Sequence, residues 1–163
     1  MRPWRLTDQA SLIRHADNRN VWRNLQDGFP HPYTEKAAGE WLDRCAAAAP
    51  PQTAFAIEVF GEAVGGIGVE IQPSIYRVTA LAGYWLGEPF WGRGIASEAC
   101  ALLRDYVFET FPDIHRIEAV VYEWNPASMR VLEKCGFTQE ARKRKAAIKD
   151  GEIIDVMLYA ITR

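Results

Sequence analysis

Gly83-Tyr84-Trp85-Leu86-Gly87-Glu88-Pro89-Phe90-Trp91-Gly92-Arg93-Gly94-Ile95-Ala96-Ser97-Glu98-Ala99 is the stretch on which the fold turns. It starts in an apolar run, 80–86, that reads as a strand, and passes through a glycine-containing turn into residues 94–110. There Ile95, Ala99, Leu102, Leu103, Tyr106 and Val107 fall on one side of a helix that Phe111-Pro112-Asp113 ends. The first N–H groups of a helix lack partners within it, and glycine lets a ligand approach the backbone closely, so this geometry suits a phosphate or pyrophosphate. A simpler demand, a tight strand-to-helix turn, would also call for Gly92 and Gly94, and spacing alone does not separate the two. A Walker loop would need Gly-Lys-Ser/Thr at its end, whereas Gly94 is followed by Ile95-Ala96; a dinucleotide fingerprint starting at Gly92 would need glycine where Ser97 stands. Neither fits.

Before this stretch, Thr7-Asp8 can cap a first helix reaching about residue 25, with Ala10, Ile13 and Ala16 on one face. A loop with two prolines and two aromatics follows, Asp27-Gly28-Phe29-Pro30-His31-Pro32-Tyr33. Thr34 then caps a second helix that runs to the alanines at 46–49 and stops at Pro50-Pro51. Residues 53–60 and 63–71 flank Gly61-Glu62 and predict an antiparallel hairpin. After the helix at 94–110, the run 116–123 predicts a strand that can lie parallel to 80–86 as a β-α-β unit. Asn125-Pro126 opens a short helix that closes at Cys135-Gly136. Strands 137–146 and 153–161 meet through Lys149-Asp150-Gly151-Glu152, where Asp-Gly is a hairpin signal. The order α-α-β-β-β-α-β-α-β-β describes one layered α/β (α+β) domain.

Bulk properties limit the function. The 163 residues suffice for one core, so a single domain over 1–163 is expected. A formal charge of −2 gives no reason to expect nucleic acid as a direct partner, and no apolar run approaches the ~20 residues of a membrane span. The one basic cluster, Arg142-Lys143-Arg144-Lys145, reads as a solvated loop or strand edge, with contact to an acidic acceptor or to phosphates as the other reading. The N-terminal residues carry no signal-peptide core, which leaves the cytoplasm as the expected location. Cys45, Cys100 and Cys135 lack metal or redox spacing and read as reduced packing residues; no metal site is expected.

Trp91-Gly92-Arg93-Gly94-Ile95-Ala96 resembles the acyl-CoA pyrophosphate loop of the GNAT superfamily of N-acetyltransferases. Asn125-Pro126-Ala127-Ser128 with Val131-Leu132-Glu133-Lys134-Cys135-Gly136-Phe137 resembles that superfamily's second block, in the expected order and spacing. The helical opening, the aromatic-proline loop and the closing Gly151…Asp155…Tyr159 pattern are similar to the branch containing ribosomal-protein N-terminal alanine acetyltransferases. The resemblance covers nearly the whole chain. It implies a mixed, mostly antiparallel sheet with a parallel β-α-β core and flanking helices. Two positions depart from the common pattern: Trp91 stands where Gln or Arg is frequent, and Leu132 where many relatives have a tyrosine acid.

The resemblance also implies a reaction: an acceptor amine attacks the thioester of acetyl-CoA directly, which requires orientation, oxyanion stabilisation and proton handling. Backbone groups at Tyr84, Trp85 and Leu86 would hold the pantetheine arm, although their side chains also read as alternating core positions. Asn125 would bond that arm, or cap its helix, or both. Ser128 would protonate the departing thiolate; a local bond to the backbone is the competing role. Glu70, Glu88, Glu123 and Asp155 are the carboxylates considered as base, and Phe29, His31 and Tyr33 are placed in the loop that would meet the acceptor. That acceptor is a protein N-terminus or a small amine, and a homodimer is the assembly considered. A catalytically silent acyl-CoA-binding module is the alternative, because fold and cofactor loop do not prove turnover.

Overall fold

A computed structural model describes every residue from Met1 to Arg163. Seven strands form one sheet in the order β1-β2-β3-β4-β5-β7-β6. They are β1 (Arg2–Pro3), β2 (Ala54–Val59), β3 (Glu62–Ile71), β4 (Thr79–Leu86), β5 (Arg116–Tyr122), β6 (Thr138–Lys149) and β7 (Glu152–Thr162). The helices are α1 (Gln9–Ala16), α2 (Arg19–Trp22), α3 (Glu35–Ala47), α4 (Ile95–Thr110) and α5 (Pro126–Lys134). This is the mixed, mostly antiparallel sheet with flanking helices that the sequence implies, and its one parallel pair is β4 with β5. The chain divides into two compact units, Met1–Gly68 with Tyr84–Ala96, and Val69–Gly83 with Ser97–Arg163.

In the first unit, Leu12 and Ala16 of α1 and Ala38 and Leu42 of α3 are buried at helical spacing and join Trp4, Tyr33, Ala56 and Ala63 in one apolar cluster. Thr34 caps α3 as expected, its side chain accepting the Ala37 N–H at 3.2 Å. The expected first helix is interrupted. Asp17 leaves helical geometry, and Asn18, in extended backbone, starts α2 by accepting the Asn20 N–H at 2.7 Å. Asp8 does not cap that helix with its side chain either. Its two oxygens take the Arg2 guanidinium at 2.7 and 2.8 Å and the Arg5 N–H at 2.8 Å, and Arg2, on the unforeseen strand β1, also bonds Glu58 of the neighbouring β2. The β2–β3 turn is Phe60-Gly61, one residue earlier than expected, because these two residues take positive φ (50° and 85°) and Glu62 already pairs with Val59.

In the second unit, β5 runs parallel to β4 from Thr79↔Arg116 to Ala82↔Ala119 and antiparallel to β7 over its whole length. Beyond Ala82 and Ala119 both strands continue, without further pairing to each other in this register. α4 buries Ala99, Cys100, Leu103 and Val107, whereas Leu102, read from the sequence as part of that face, is 46% exposed. The carbonyls at the end of α4 are satisfied by Arg163, whose guanidinium donates to Phe108, Phe111 and Pro112 at 3.0, 2.8 and 2.9 Å. Asp150-Gly151 makes the β6–β7 turn with φ of 54° and 81°. The basic run falls on β6 at a bulge between Lys143 and Ala147, where the Lys145 N–H and Arg142 both bond Asp155 across the ladder, at 2.8 and 2.6 Å. It is a strand edge, as one of its two sequence readings held.

Two stability predictions follow from the first unit. Burial acts to raise the Asp8 carboxyl, but the Arg2 fork and the Arg5 N–H outweigh it and hold the group below the ordinary carboxylate range. Its contribution is therefore complete above about pH 4 and fades as pH falls through the lowered folded value. Asp8→Asn should be less stable than the parent at pH 7, with a difference that narrows below about pH 4; a pH-independent difference in urea midpoint would contradict this. At Gly65 an added Cβ would run into the Trp85 carbonyl and lie 3.1 Å from Leu86 Cα. Gly65→Ala should cost about 1–3 kcal/mol in urea unfolding, and an unchanged midpoint would show that β3 and β4 can part freely.

Candidate functional site

β4 delivers the decisive stretch. Gly65 lets β3 lie close to the Trp85 carbonyl, and Gly66 leaves room for the Trp85 and Trp4 indoles, which a Cβ there would meet at 2.6 and 3.2 Å. Leu86 is buried, and Tyr84 and Trp85 are partly exposed. At the strand's end the Gly87 N–H still donates to Val64 O at 2.8 Å. A single 3-10 turn, Glu88–Phe90, then folds the chain over, with Phe90 N–H on Gly87 O at 2.9 Å and Trp91 N–H on Glu88 O at 3.1 Å.

From Trp91 to Gly94 the chain is exposed, and after the Trp91 N–H its backbone bonds cease. The N–H groups of Gly92, Arg93 and Gly94 make no bond to a backbone carbonyl, and those of Ile95 and Ala96 open α4, where no earlier turn can receive them. Gly92 and Gly94 have φ of 75° and 81°, so the turn does require glycine for its shape. A Cβ on either would meet nothing within 4 Å apart from its chain neighbours, so the space on that side of both glycines is open. Trp91 is 44% exposed but does not reach over the loop, because its indole N–H returns to Leu86 O at 2.7 Å. Arg93 lies 5.6 Å over the Phe90 ring, leaving a guanidinium beside the turn. The arrangement is a nest of donors at a helix start with one cation nearby, and it can hold an anion.

Asn125 and Ser128 belong to the second unit. Asn125 is the cap expected of it, its Oδ1 accepting the Ser128 N–H at 3.1 Å, which leaves its Nδ2 as a donor. Ser128 sits in the first turn of α5 and is partly exposed. Leu132 is fully buried and carries no exchangeable proton. Tyr159 is buried too, with its hydroxyl against Glu133 at 3.1 Å; burial first, then that carboxylate, pushes the phenol up. Cys100 and Cys135 are buried free thiols, and burial followed by the Cys135 neighbour raises Cys100, the packing role expected of them.

The four carboxylates considered as base differ sharply in environment. Glu88 accepts hydrogen bonds from Asn18 at 2.8 Å and Asn20 at 3.0 and 3.1 Å, which hold its carboxyl below the ordinary range. Asp155 is lowered by the Lys145 N–H and then by Arg142. Glu123 accepts the Asp155 N–H at 3.0 Å and reaches Arg142 at 3.3 Å. Glu88 and Asp155 are thus poor proton acceptors near neutral pH. Glu70 is exposed on β3.

In the aromatic-proline loop, Phe29 packs against Tyr33 at 4.9 Å and Trp85 at 5.5 Å between ring centroids. Tyr33 is 5% exposed, its ring packs in the apolar cluster of the first unit, and burial pushes its hydroxyl up to about 12. His31 stacks on Trp22 at 5.5 Å with Nδ1 3.4 Å from Asp17. Sequence reading missed three residues that touch the 87–90 turn: Asn18, Asn20 and His15, whose ring edge meets Phe90 at 5.4 Å while its Nε2 lies 2.8 Å from Glu62. No local motif marks them, since their partners lie 47 to 75 residues away along the chain. No helix is long and apolar enough to cross a membrane, and no group of three or more His, Cys, Asp or Glu side chains could hold a metal ion.

YjcK of Bacillus subtilis (strain 168), named a probable N-acetyltransferase, is 45% identical over 83 residues, or 51% of this chain and 45% of YjcK. The chain spans about half the length of the curated relatives it matches first. AaaT of Escherichia coli (strain K12), an L-amino acid N-acetyltransferase, is 28% identical over 91% of this chain and 96% of its own. Among solved structures, Mycobacterium smegmatis RimJ in complex with CoA-disulfide has a TM-score of 0.80 and 33% identity, covering 99% of this chain and 80% of that one. Residues 1–138 match the family model described as acetyltransferase (GNAT) domain, and the chain belongs to that family.

Proposed function

We propose that the chain, working as one domain over residues 1–163, transfers an acetyl group from acetyl-CoA to a primary amine by direct attack on the thioester. The observation that carries this reading is the uncovered row of N–H groups over Gly92–Ala96 at the start of α4. Such a row fits a pyrophosphate, and RimJ, similar along almost the whole chain, holds a CoA derivative. Acetyl-CoA is a co-substrate here, and the chemistry needs no metal. The backbone at Tyr84–Leu86 would hold the pantetheine arm and polarise the thioester carbonyl, with Asn125 Nδ2 as a further donor to that arm. The amine nitrogen adds to the carbonyl carbon, the carbon–sulfur bond breaks, and the proton lost by nitrogen balances the one gained by sulfur. Ser128 would give that proton, in a chain where the buried Leu132 has none to give.

The acceptor is an α-amine in this reading, that of a protein N-terminus or an amino acid. AaaT acts on amino acids, and the resembled branch modifies protein N-termini. The proton chemistry agrees: an α-amine with a reference pKa near 8 is about one-tenth uncharged at neutral pH, against well under a thousandth for lysine. It therefore needs little from a base, and Glu88 and Asp155, both held below the ordinary range, would supply little. Leu132 in place of a tyrosine acid is also what a silent acyl-CoA-binding module would show. Thiol release on adding N-terminal peptides, amino acids, polyamines and aminoglycosides to enzyme and acetyl-CoA separates the two; binding without thiol release from any amine would leave the silent module.

Gly94→Glu should weaken acetyl-CoA binding about tenfold or more, because a carboxylate would occupy an anion site. Unchanged affinity by calorimetry in a folded variant would remove the turn from cofactor binding. Ser128→Ala should lower kcat about tenfold or more while leaving the acetyl-CoA Kd in place. Equal turnover would take this hydroxyl out of the mechanism.

A further inference from the structure

Amide donors bind a pyrophosphate well only if they are held in one geometry before it arrives, and the exposed residues 91–94 have little packing of their own to do so. Their fixed point is the turn just upstream. We propose that Asn18 and Asn20 are positioning residues for the pyrophosphate-binding amides, acting through the Glu88 carboxylate, an inference that rests on the reading of Gly92–Ala96 as a CoA site.

Three features support it. Glu88 collects three hydrogen bonds from two side-chain amides: Asn18 Nδ2 to Oε2 at 2.8 Å, and Asn20 Nδ2 to Oε1 and Oε2 at 3.0 and 3.1 Å. Asn18 is used twice, because its Oδ1 also accepts the Asn20 N–H at 2.7 Å, which aims both amides together at the start of α2. The Glu88 carbonyl in turn receives the Trp91 N–H at 3.1 Å, so the residue that the two amides hold is itself bonded to the first residue of the loop it would steady. His15 also abuts the turn: a Cβ on Gly87 would lie 2.8 Å from its Nδ1, and its ring makes a T-shaped contact with Phe90. The 3-10 turn is thus contacted by residues of both α1 and the start of α2. Both donors to Glu88 are neutral, so the clamp adds no cation to compete for the phosphate. A carboxylate kept ionised by two amides is also a poor general base, which leaves Glu88 a structural task.

The test measures binding of CoA and dephospho-CoA by calorimetry to the full chain and to Glu88→Ala, Glu88→Gln, Asn20→Ala and the Asn18→Ala/Glu88→Ala pair. Both ligands keep the pyrophosphate. Glu88→Ala should weaken both by the same factor, about five- to tenfold, with kcat at saturating acetyl-CoA within about twofold of the parent. Glu88→Gln keeps one oxygen acceptor and should recover part of the loss. Adding Asn18→Ala to Glu88→Ala should cost nothing further, since the bond is already gone. Parent-like affinities in Glu88→Ala, or a loss confined to CoA, would overturn the positioning role while leaving the CoA site standing. A parent protein that binds neither ligand would overturn both readings. Should Glu88→Ala not fold, the exposed Asn20→Ala decides by the same criterion, a twofold or greater loss supporting the role and parent-like affinity overturning it.

Discussion

Backbone N–H groups without carbonyl partners are costly to bury and useful only where something anionic can reach them. Over Gly92, Arg93 and Gly94 the chain keeps such groups exposed, with two residues in left-handed conformation and no Cβ above them. The rest of the first unit makes this tolerable and repeatable. Gly65 and Gly66 let β3 close on Trp85, Val64 ends the pairing by accepting from Gly87, and the Trp91 indole is tied back to Leu86. α4 then adds the partial positive charge of its first turn to the same place.

Much of this was legible locally. The strand, the glycine turn and the amphipathic α4 were written in adjacent residues, and so were the caps Thr34 and Asn125 and the Asp150-Gly151 hairpin, because each depends on a few neighbouring side chains. What local pattern could not carry was long-range. The irregular helical spacing of this stretch does not mark a stop at Asp17, but Asp17 accepts the Tyr33 N–H at 2.9 Å and Asn18 bonds Glu88, so α1 ends there for tertiary reasons. β1 has two residues and exists through Arg2 bridging Asp8 and Glu58. Leu102 looked like core because a helical wheel does not say how wide the covered stripe is; Cys100 took the place instead.

The same limit shaped the reading of the site. Glu88, which reads in the sequence as one of four carboxylates near the acceptor cleft, accepts from two asparagines about 70 residues earlier in the chain. Asp155 and Glu123 are bound into a cluster with Arg142 that pins a strand bulge. Tyr33 had the composition of a ligand contact and the burial of a core residue. In each case the residue type was visible and its environment was not, and proton affinity is set by environment.

The central claim is that the amides between Gly92 and Ala96 grip a diphosphate. Amide proton shifts in a 15N-labelled sample, followed during titration with CoA and separately with pantetheine, test it most directly. The account predicts large downfield movement of the Gly92, Arg93, Gly94, Ile95 and Ala96 signals with CoA and little with pantetheine, which lacks the phosphates. Equal small shifts with both ligands, while signals elsewhere respond to CoA, would contradict it.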